Sequence, residues 1–300
     1  MSQRVMLWLM LRRSLRILPA ALALLVALAP AQQKKPAAPK SVRLYIFDCG
    51  KITGVGAANF GFKDSELATT EMFTPCFLIA HPRGTLMWDT GQIPDANVKE
   101  DGQPTKQGPF TVTRRLLPQV AAVGYTPADI TYLALSHYHG DHVANANAFA
   151  SSTWLVQEAE RTAMFTLPKP DSKAKGPNAP NLAFFGQLEH SKTTLIKNQD
   201  HDVFGDGSVV LKFSPGHTPG HQSLFLKLKS TGPVLLSGDL YHYPEELSMK
   251  RVPTSEADQQ QTARSREAIE AFVKKNKAQL WIQHDAAAAT KWKMAPAFYE

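Results

Sequence analysis

The sequence predicts an α/β protein built from two similar layers of strands and helices. Strand-like and helical segments alternate in the first half of the chain, and the same order returns in the second half. Apolar residues make up 43% of the 300 positions, which is enough for one large core or two modest ones. Charged residues make up 20%. This composition excludes a disordered or fibrous protein.

The predicted strands are short apolar runs, and the first of them alternates between apolar and polar residues. It begins at Val42 and continues through Leu44 and Ile46. The other strands are predicted at residues 72–80, 85–88, 130–135, 153–156, 208–213, 223–229, 234–236 and 280–282. The clearest helix begins near Ser255, because Ser255 and Asp258 resemble a capping box and three lysines lie near the helix end.

The segment at residues 166–198 breaks this order, because it contains four prolines and several lysines. We interpret it as a long excursion over the surface of one domain and not as a linker between two. Long loops of this kind often form a lid or a wall of a binding site. A role in contacts between two copies of a homodimer stays open at this point.

Residues 1–31 are predicted to be an export signal. Arginines precede a short apolar run that ends in a small-residue cleavage site, so the mature chain would begin at Gln32. An uncleaved membrane anchor is the alternative, although the apolar run is short for a bilayer span. A flexible linker at 32–41 and a single domain at 42–300 follow. We therefore expect an exported protein, periplasmic or secreted, with no stable membrane insertion after cleavage.

The net charge does not indicate a nucleic-acid-binding protein. The formal charge of the chain is +7, but four arginines and no acidic residue belong to the predicted signal. Without the signal the formal charge falls to +3, and no stripe of Lys and Arg remains. Nucleic acid is therefore not an expected partner.

The two cysteines, Cys49 and Cys76, each lie in a strand-like apolar run. An exported protein can join such a pair in a disulfide, although a domain of this size does not need one. Two buried, unpaired packing residues are the favoured interpretation.

The most informative stretch is residues 136–142, SHYHGDH, directly after a predicted strand. A turn at Gly140 would direct the two histidines before it to one side and begin a helix. The first turn of that helix would then carry two further metal-binding side chains in another direction. One stretch can therefore supply two adjacent metal sites, from His137, His139, Asp141 and His142.

Three later candidates, His217, Asp239 and His284, also follow predicted strands. His217 lies in a turn rich in glycine and proline, PGHTPGH. Because α/β folds gather their sites at the carboxyl ends of strands, we expect these side chains to meet the 136–142 stretch. Neutral imidazoles and carboxylates suit zinc, whereas magnesium and calcium require more oxygen ligands.

Together with Asp89-Thr90-Gly91, these residues resemble the metallo-β-lactamase superfamily, and most closely its branch of N-acyl homoserine lactone lactonases. The resemblance extends from residue 42 to the C-terminus. It implies a four-layer αββα sandwich and a metal-dependent hydrolase. It also implies that Asp89 supports the site without binding metal. The implied ligands are His137, His139 and His217 for one zinc, Asp141, His142 and His284 for a second, and Asp239 as the bridge between them.

The resemblance implies that a hydroxide between two zinc ions opens a lactone ring, while Asp141 passes a proton to the departing alcohol. Other esters, thioesters and organophosphates are alternative substrates, and cobalt, manganese or iron also fit the ligands. Asp239 disfavours antibiotic hydrolysis, because β-lactamases of this fold carry cysteine or serine there. A mononuclear iron persulfide dioxygenase is less favoured because it lacks a second site, and a metal-free binding protein would usually have lost ligands.

The substrate side is predicted from the residues that follow Asp239. Related lactonases place a tyrosine three residues after the bridging aspartate, where this chain has His242 between Tyr241 and Tyr243. We predict that Tyr241 contacts the substrate, with His242 or Tyr243 as alternatives. Four phenylalanines either line an acyl-chain pocket or pack in the core, namely Phe60, Phe62, Phe184 and Phe185.

Overall fold

The computed structural model describes residues 36–166 and 180–300. The predicted export signal and the first four residues of the predicted linker lie outside these ranges. The described part of the linker carries neither helix nor strand, and the hydroxyl of Ser41 donates a hydrogen bond to Glu300. All described residues fall in one compact unit, Lys34–Glu300. No helix within the described ranges is long and apolar enough to cross a membrane.

The strands of the described residues form two sheets. In chain order they are β1 (Arg43–Ile52), β2 (Met72–His81), β3 (Gly84–Trp88), β4 (Thr105–Gln107), β5 (Phe110–Val112), β6 (Tyr132–Ala134), β7 (Thr153–Gln157), β8 (Thr193–Ile196), β9 (His201–Asp202), β10 (Val209–Phe213), β11 (Gln222–Leu228), β12 (Gly232–Leu236), β13 (Gln279–Trp281) and β14 (Phe298–Tyr299). The larger sheet has the order β4-β5-β1-β2-β3-β6-β7-β8, with β14 paired to the beginning of β1. The smaller sheet has the order β13-β12-β11-β10-β9. The pairs β3–β6, β6–β7, β7–β8 and β12–β13 are parallel, and the other neighbours are antiparallel.

Within residues 36–166 and 180–300, the helices are short, with one exception. They are α1 (Leu116–Ala122), α2 (Gly140–Val143), α3 (Glu158–Thr166), α4 (Leu182–Phe185), α5 (Pro244–Ser248), α6 (Gln259–Asn276) and α7 (Ala286–Ala289). Single 3₁₀ turns lie at Ala57–Phe60, Asp64–Glu66, Asp95–Asn97, Pro127–Asp129, Ala146–Phe149, Gly186–His190 and Gly238–Leu240.

The two sheets pack face to face, and helices cover their outer faces. Leu44 and Ile46 of β1 belong to a buried cluster between the sheets, together with Leu224 of β11. Because side chains alternate along a strand, Tyr45 belongs to the opposite cluster, which includes Met164 of α3. Helix α6 covers the outer face of the smaller sheet with its apolar side. The layers therefore follow the predicted αββα order.

Each of the nine predicted strands is present. The ends of the eight strands with predicted bounds are shifted by no more than two residues, and the first strand extends beyond Ile46 to Ile52. The strands that the sequence analysis missed are β4, β5, β8, β9 and β14. They contain only two to four residues each. Such segments are too short and too polar to show an apolar alternation.

In residues 180–198, which the structure describes, most side chains are exposed or partly exposed, as expected for a surface excursion, but the prediction of a long loop is wrong. Strand β8 pairs in parallel with β7 and extends the larger sheet. Phe185 and Leu188 are fully buried in the cluster beneath the helices. Asn147 holds this segment from the other side, because its amide donates to the carbonyl of Ala183 and its carbonyl accepts the backbone N–H of Gln187. These contacts make the segment part of the larger sheet and of the helix layer that covers it.

Two smaller predictions also need correction. Helix α6 begins at Gln259, because Asp258 is its N-cap and accepts the backbone N–H of Gln261 at 2.9 Å. Cys49 and Cys76 form a disulfide and are not free packing residues. They lie on β1 and β2, which are antiparallel neighbours, and a register shift after Asp48 brings their Cα atoms to 5.9 Å.

Candidate metal centre

The loop after β6 brings four candidate ligands to the site. It leaves the sheet at Ser136, whose backbone N–H donates to Oδ1 of Asp89 at 2.7 Å. Helix α2 begins at Gly140, where the sequence predicts the chain to turn. The candidate ligands are His137 and His139 before this helix, and Asp141 and His142 in its first turn.

His217 lies in the turn between β10 and β11. At Gly216, φ is +135°, and a Cβ atom would lie 2.3 Å from the backbone nitrogen of Thr262 in α6. Only glycine therefore fits between this turn and the helix. Nε2 of His217 lies 3.0 Å from Nδ1 of His139. The turn thus brings an imidazole from the smaller sheet to one from the larger sheet.

Asp239 and His284 follow β12 and β13, which are neighbours in the smaller sheet. Oδ1 of Asp239 lies 3.0 Å from Nε2 of His142 and 3.1 Å from Nε2 of His284. Oδ2 lies 3.4 Å from Nε2 of His217 and 3.6 Å from Nε2 of His137. One carboxylate therefore faces histidines on both of its sides.

All seven predicted side chains come together in two groups of buried donors that share Asp239. The donor atoms of each group lie within 4.8 Å of one another. The first group is His137, His139, His217 and Asp239, and the second is Asp141, His142, Asp239 and His284.

The donor atoms fit a pair of cations. Nε2 of His137, Nε2 of His142 and Oδ1 of Asp239 are buried, and none has a hydrogen-bond partner of acceptable geometry in the described part of the chain. Buried polar atoms without a partner are costly, so such atoms usually mark a ligand or a water. Imidazole nitrogens and carboxylate oxygens are donors that zinc and similar transition-metal ions prefer.

The pKa shifts of His137, His139 and Asp239 favour the forms that bind metal. Burial lowers the pKa of His137 well below its usual value and lowers the pKa of His139 to about 3. Burial opposes ionisation of Asp239, but His142 and His284 hold the pKa of this carboxyl well below its usual value. Neutral imidazoles and an ionised carboxylate are the forms that bind cations.

Three imidazoles use Nδ1 to donate a hydrogen bond away from the site, so that Nε2 keeps a free lone pair directed toward it. These bonds run from His142 to Oδ2 of Asp89 at 3.0 Å, from His217 to Oε1 of Glu256 at 3.1 Å, and from His284 to the carbonyl of Phe73 at 2.7 Å.

Asp89 lies beneath the site in the supporting position that the resemblance implies. Its φ of +56° turns the chain sharply at the end of β3. The side-chain amide of Gln283 donates to Oδ2 of Asp89 at 3.0 Å, and the carbonyl of the same amide accepts the backbone N–H of Gly238 at 2.9 Å. The loops that carry His142, Asp239 and Asp89 are therefore linked by hydrogen bonds beneath the donors.

The sequence analysis missed two buried acids that hold the site loops. Glu160 of α3 accepts the backbone N–H groups of Tyr138 and Gly220, which belong to the loop after β6 and the His217 turn. Burial raises the pKa of Glu160 to about 7. Glu256, which precedes α6, accepts the hydrogen bond from His217. No local motif marks a single acid of this kind, because its partners are distant in sequence.

The structure directs the side chain of Tyr241 toward α6 and away from the donors. The hydroxyl of Tyr241 donates to Glu270 of α6 at 2.7 Å, and the guanidinium of Arg266 lies 4.3 Å from the ring centroid. His242 faces the site instead, with Nε2 at 3.3 Å from Oδ2 of Asp239. The chain is extended at Tyr241, so successive side chains point to opposite sides.

A cavity of about 310 Å³ opens beside the two donor groups. Its apolar wall consists of Ile52, Val55, Phe60, Met72, Pro109 and Phe110. Of the four phenylalanines considered from sequence, only Phe60 lines this cavity. Phe62 packs behind it, and Phe184 and Phe185 belong to the cluster beneath the helices. Tyr243 is also buried, and its hydroxyl donates to the carbonyl of Thr70.

Known proteins are similar to this chain in sequence and architecture. Residues 69–277 match the profile of the Metallo-beta-lactamase superfamily. The N-acyl homoserine lactonase AttM of Rhizobium radiobacter is 31% identical over 265 residues, which cover 86% of this chain and 98% of AttM. An N-acyl homoserine lactonase of Bacillus thuringiensis is 29% identical over 225 residues, which cover 70% of this chain and 80% of the relative.

Solved structures are similar over the same region. An N-acyl homoserine lactone hydrolase with the product N-hexanoyl-L-homoserine bound at its catalytic metal center has a TM-score of 0.68 and 25% identity, and the match covers 86% of this chain and 99% of that one. AidC, a dizinc quorum-quenching lactonase, has a TM-score of 0.63 and 18% identity, and the match covers 89% of this chain and 96% of that one. At this identity the similarity concerns the fold alone.

Proposed function

Because the chain belongs to the metallo-beta-lactamase superfamily and is a metal-dependent hydrolase, we propose that it opens the ring of N-acyl homoserine lactones. The observation that carries this proposal is the position of two donor groups at the polar end of a cavity with an apolar wall. A lactone carbonyl fits the polar end, and an acyl chain fits the wall formed by Phe60, Met72 and Phe110. The relatives named as N-acyl homoserine lactonases support the same substrate class.

Two zinc ions are the proposed cofactors. His137, His139 and His217 would hold one, Asp141, His142 and His284 the other, and Asp239 would contact both. Nitrogen and oxygen donors in small numbers suit zinc, while cobalt, manganese and iron accept the same donors. When bound, such a pair of cations makes a water molecule nucleophilic near neutral pH and polarises a carbonyl group.

Asp141 is the residue we assign to proton transfer. Its Oδ2 atom lies 3.4 Å from Nε2 of His142 and 3.5 Å from Nε2 of His284, and the side chain borders the cavity. In the proposed reaction, water adds to the carbonyl carbon and the ring C–O bond breaks. Asp141 takes a proton from the water and passes it to the departing ring oxygen, so the product is the open N-acyl homoserine.

We also propose that the enzyme is exported. The arginines and the short apolar run of residues 1–31 support this location. The disulfide between Cys49 and Cys76 also supports it, because such bonds persist in oxidising compartments. N-terminal sequencing of the protein from the periplasm or medium of the producing cell should give Gln32 as the first residue. An unprocessed N-terminus retained in the cytoplasm would contradict this proposal.

The lactonase proposal is tested by comparing initial rates on a panel of substrates that differ in the bond that is cleaved and in the acyl chain. The panel contains N-acyl homoserine lactones of increasing chain length, an unsubstituted lactone, an alkyl thioester and an aryl phosphotriester. We expect the highest kcat/KM on an acylated homoserine lactone, with a product heavier by one water in mass spectrometry. Equal, slow rates on every lactone together with fast cleavage of the thioester or phosphotriester would overturn the lactonase assignment.

A further inference from the structure

Glu256 is a buried acid to which the proposed reaction gives no role. It lies in the segment between α5 and α6, and its side chain has no exposed surface. Oε1 lies 3.1 Å from Nδ1 of His217, and Oε2 accepts the hydroxyl of Thr262 at 2.8 Å. Both carboxylate oxygens are therefore used, and one of them is used by a candidate metal ligand.

The contact fixes which nitrogen of His217 faces the site. Nε2 of His217 lies 3.0 Å from Nδ1 of His139 and 3.4 Å from Oδ2 of Asp239, so this nitrogen is the donor atom of the first group. Since a carboxylate can only accept, Nδ1 of His217 carries the hydrogen that Glu256 receives. The lone pair then remains on Nε2, where a cation would be held.

The segment that carries Glu256 is itself fixed to the turn that carries His217. The backbone N–H of Asp258 donates to the carbonyl of Gly216 at 2.9 Å, and that of Ala257 donates to the carbonyl of His217 at 3.3 Å. The hydroxyl of Ser265 in α6 donates to the carbonyl of Pro215 at 2.6 Å. Glu256 and His217 therefore hold their relative position through the backbone as well as through side chains.

The second donor group has an equivalent pair. There, Oδ2 of Asp89 accepts from Nδ1 of His142 at 3.0 Å. Each group therefore contains one histidine supported by a buried carboxylate, Glu256 for the first and Asp89 for the second. Asp89 follows β3, whereas Glu256 lies between α5 and α6, and the two acids support different histidines.

We propose that Glu256 is a positioning residue for the cation of the first group: it holds His217 in the orientation and tautomer that bind metal. The inference rests on the proposed metal centre. The inference goes beyond that centre because it assigns a separate supporting carboxylate to each cation. The affinity for one cation can then be lowered without lowering the affinity for the other. Removing a carboxylate partner of this kind typically weakens metal binding by about 10–100-fold.

The test is zinc binding by metal-free full-length protein, measured by competition with a chromophoric chelator at fixed pH. We expect Glu256→Gln to weaken one of two binding steps by about 10–100-fold and to leave the other within about threefold. Asp89→Asn should weaken the other step. Glu267→Gln, an exposed acid on α6, is the matched control and should change neither step.

A mutant cycle separates positioning through His217 from a general structural effect. If Glu256 acts through His217, adding Glu256→Gln to His217→Ala should weaken the remaining binding no further than His217→Ala alone. Additive losses, equal weakening of both steps, or unchanged binding by Glu256→Gln would overturn the inference. Glu256→Asp, which keeps the charge, should recover part of the lost affinity.

The proposed function and this inference can fail separately. A wild-type chain that binds two zinc ions, shows the expected cycle and leaves lactones intact would overturn the lactonase proposal but not the role of Glu256. A wild-type chain that opens lactones while Glu256→Gln binds both cations normally would overturn only the role of Glu256. A wild-type chain that binds none of zinc, cobalt, manganese and iron would overturn both.

Discussion

Nε2 of His242 lies 3.3 Å from Oδ2 of Asp239, and the imidazole rings of His242 and His284 are parallel, with centroids 5.9 Å apart. Nδ1 of His242 donates to Oε1 of Glu246 at 3.2 Å, and the other oxygen of Glu246 pairs with Arg266. This buried series of polar groups fixes the ring with Nε2 toward the cavity. His242 therefore occupies the place for which the sequence favoured Tyr241.

His242→Ala should lower kcat/KM for an acylated lactone by about 100-fold, because the variant loses a polar group that faces the substrate cavity. The zinc content should stay at the wild-type value, since His242 belongs to neither donor group. Initial rates and elemental analysis of the same preparation measure both quantities.

The neighbouring substitution Tyr241→Phe is the control. It removes only the hydrogen bond to Glu270, so kcat/KM should stay within about twofold and the free energy of unfolding should fall by about 1 kcal/mol. A large rate loss in Tyr241→Phe with none in His242→Ala would reverse the assignment of these two residues.

His217→Ala should lose one of the two cations and reduce turnover to background. The fold should be retained, because His217 lies in a turn at the strand ends and not in the cluster between the sheets. Elemental analysis, initial rates and far-UV circular dichroism test the three parts. Full activity with unchanged metal content would show that His217 is no ligand.

Asp239→Asn should affect rate more than folding. Its carboxylate faces both donor groups, so removing its charge should lower kcat by more than the roughly 100-fold that is typical when a hydrogen-bond partner of a metal ligand is lost. The free energy of unfolding of the metal-free protein should change by only about 1 kcal/mol. The comparison uses initial rates at saturating zinc and urea unfolding of the metal-free protein. A variant that loses more free energy of unfolding than activation free energy would contradict the prediction.

Replacing both cysteines, in Cys49→Ala/Cys76→Ala, should lower the free energy of unfolding by about 3 kcal/mol. The disulfide spans 27 residues and restricts the unfolded chain, which is the main source of its stabilisation. Urea unfolding of the double variant and of wild type gives the difference. Wild type unfolded with a thiol reductant present should match the variant, and identical stability of oxidised wild type and the variant would refute the prediction.

The positions of the donors could be predicted from the sequence because each one lies in a segment that follows an apolar run. Strand ends are visible in such runs, and the carboxyl ends of strands in this fold meet at one edge. His137 and His284 are 147 residues apart, yet both could be assigned to that edge before any contact was known. The same reasoning recovered every strand of five or more residues.

The remaining features depend on register and side-chain direction, which an apolar pattern does not specify. The disulfide requires the register shift after Asp48, and the choice of His242 over Tyr241 requires the extended backbone after the 3₁₀ turn. Glu256 and Glu160 meet partners that are distant in the chain. In the sequence, each of these two residues is indistinguishable from an exposed glutamate of a helix or loop.

The donors come from both sheets: Asp141 and His142 follow a strand of the larger sheet, whereas His217, Asp239 and His284 follow strands of the smaller one. Cations held as proposed would therefore fasten the two halves of the sandwich together at one edge. Since a ligand that binds only the native state stabilises it, the metal supply would govern how long each molecule survives heat and proteases, besides how fast it works.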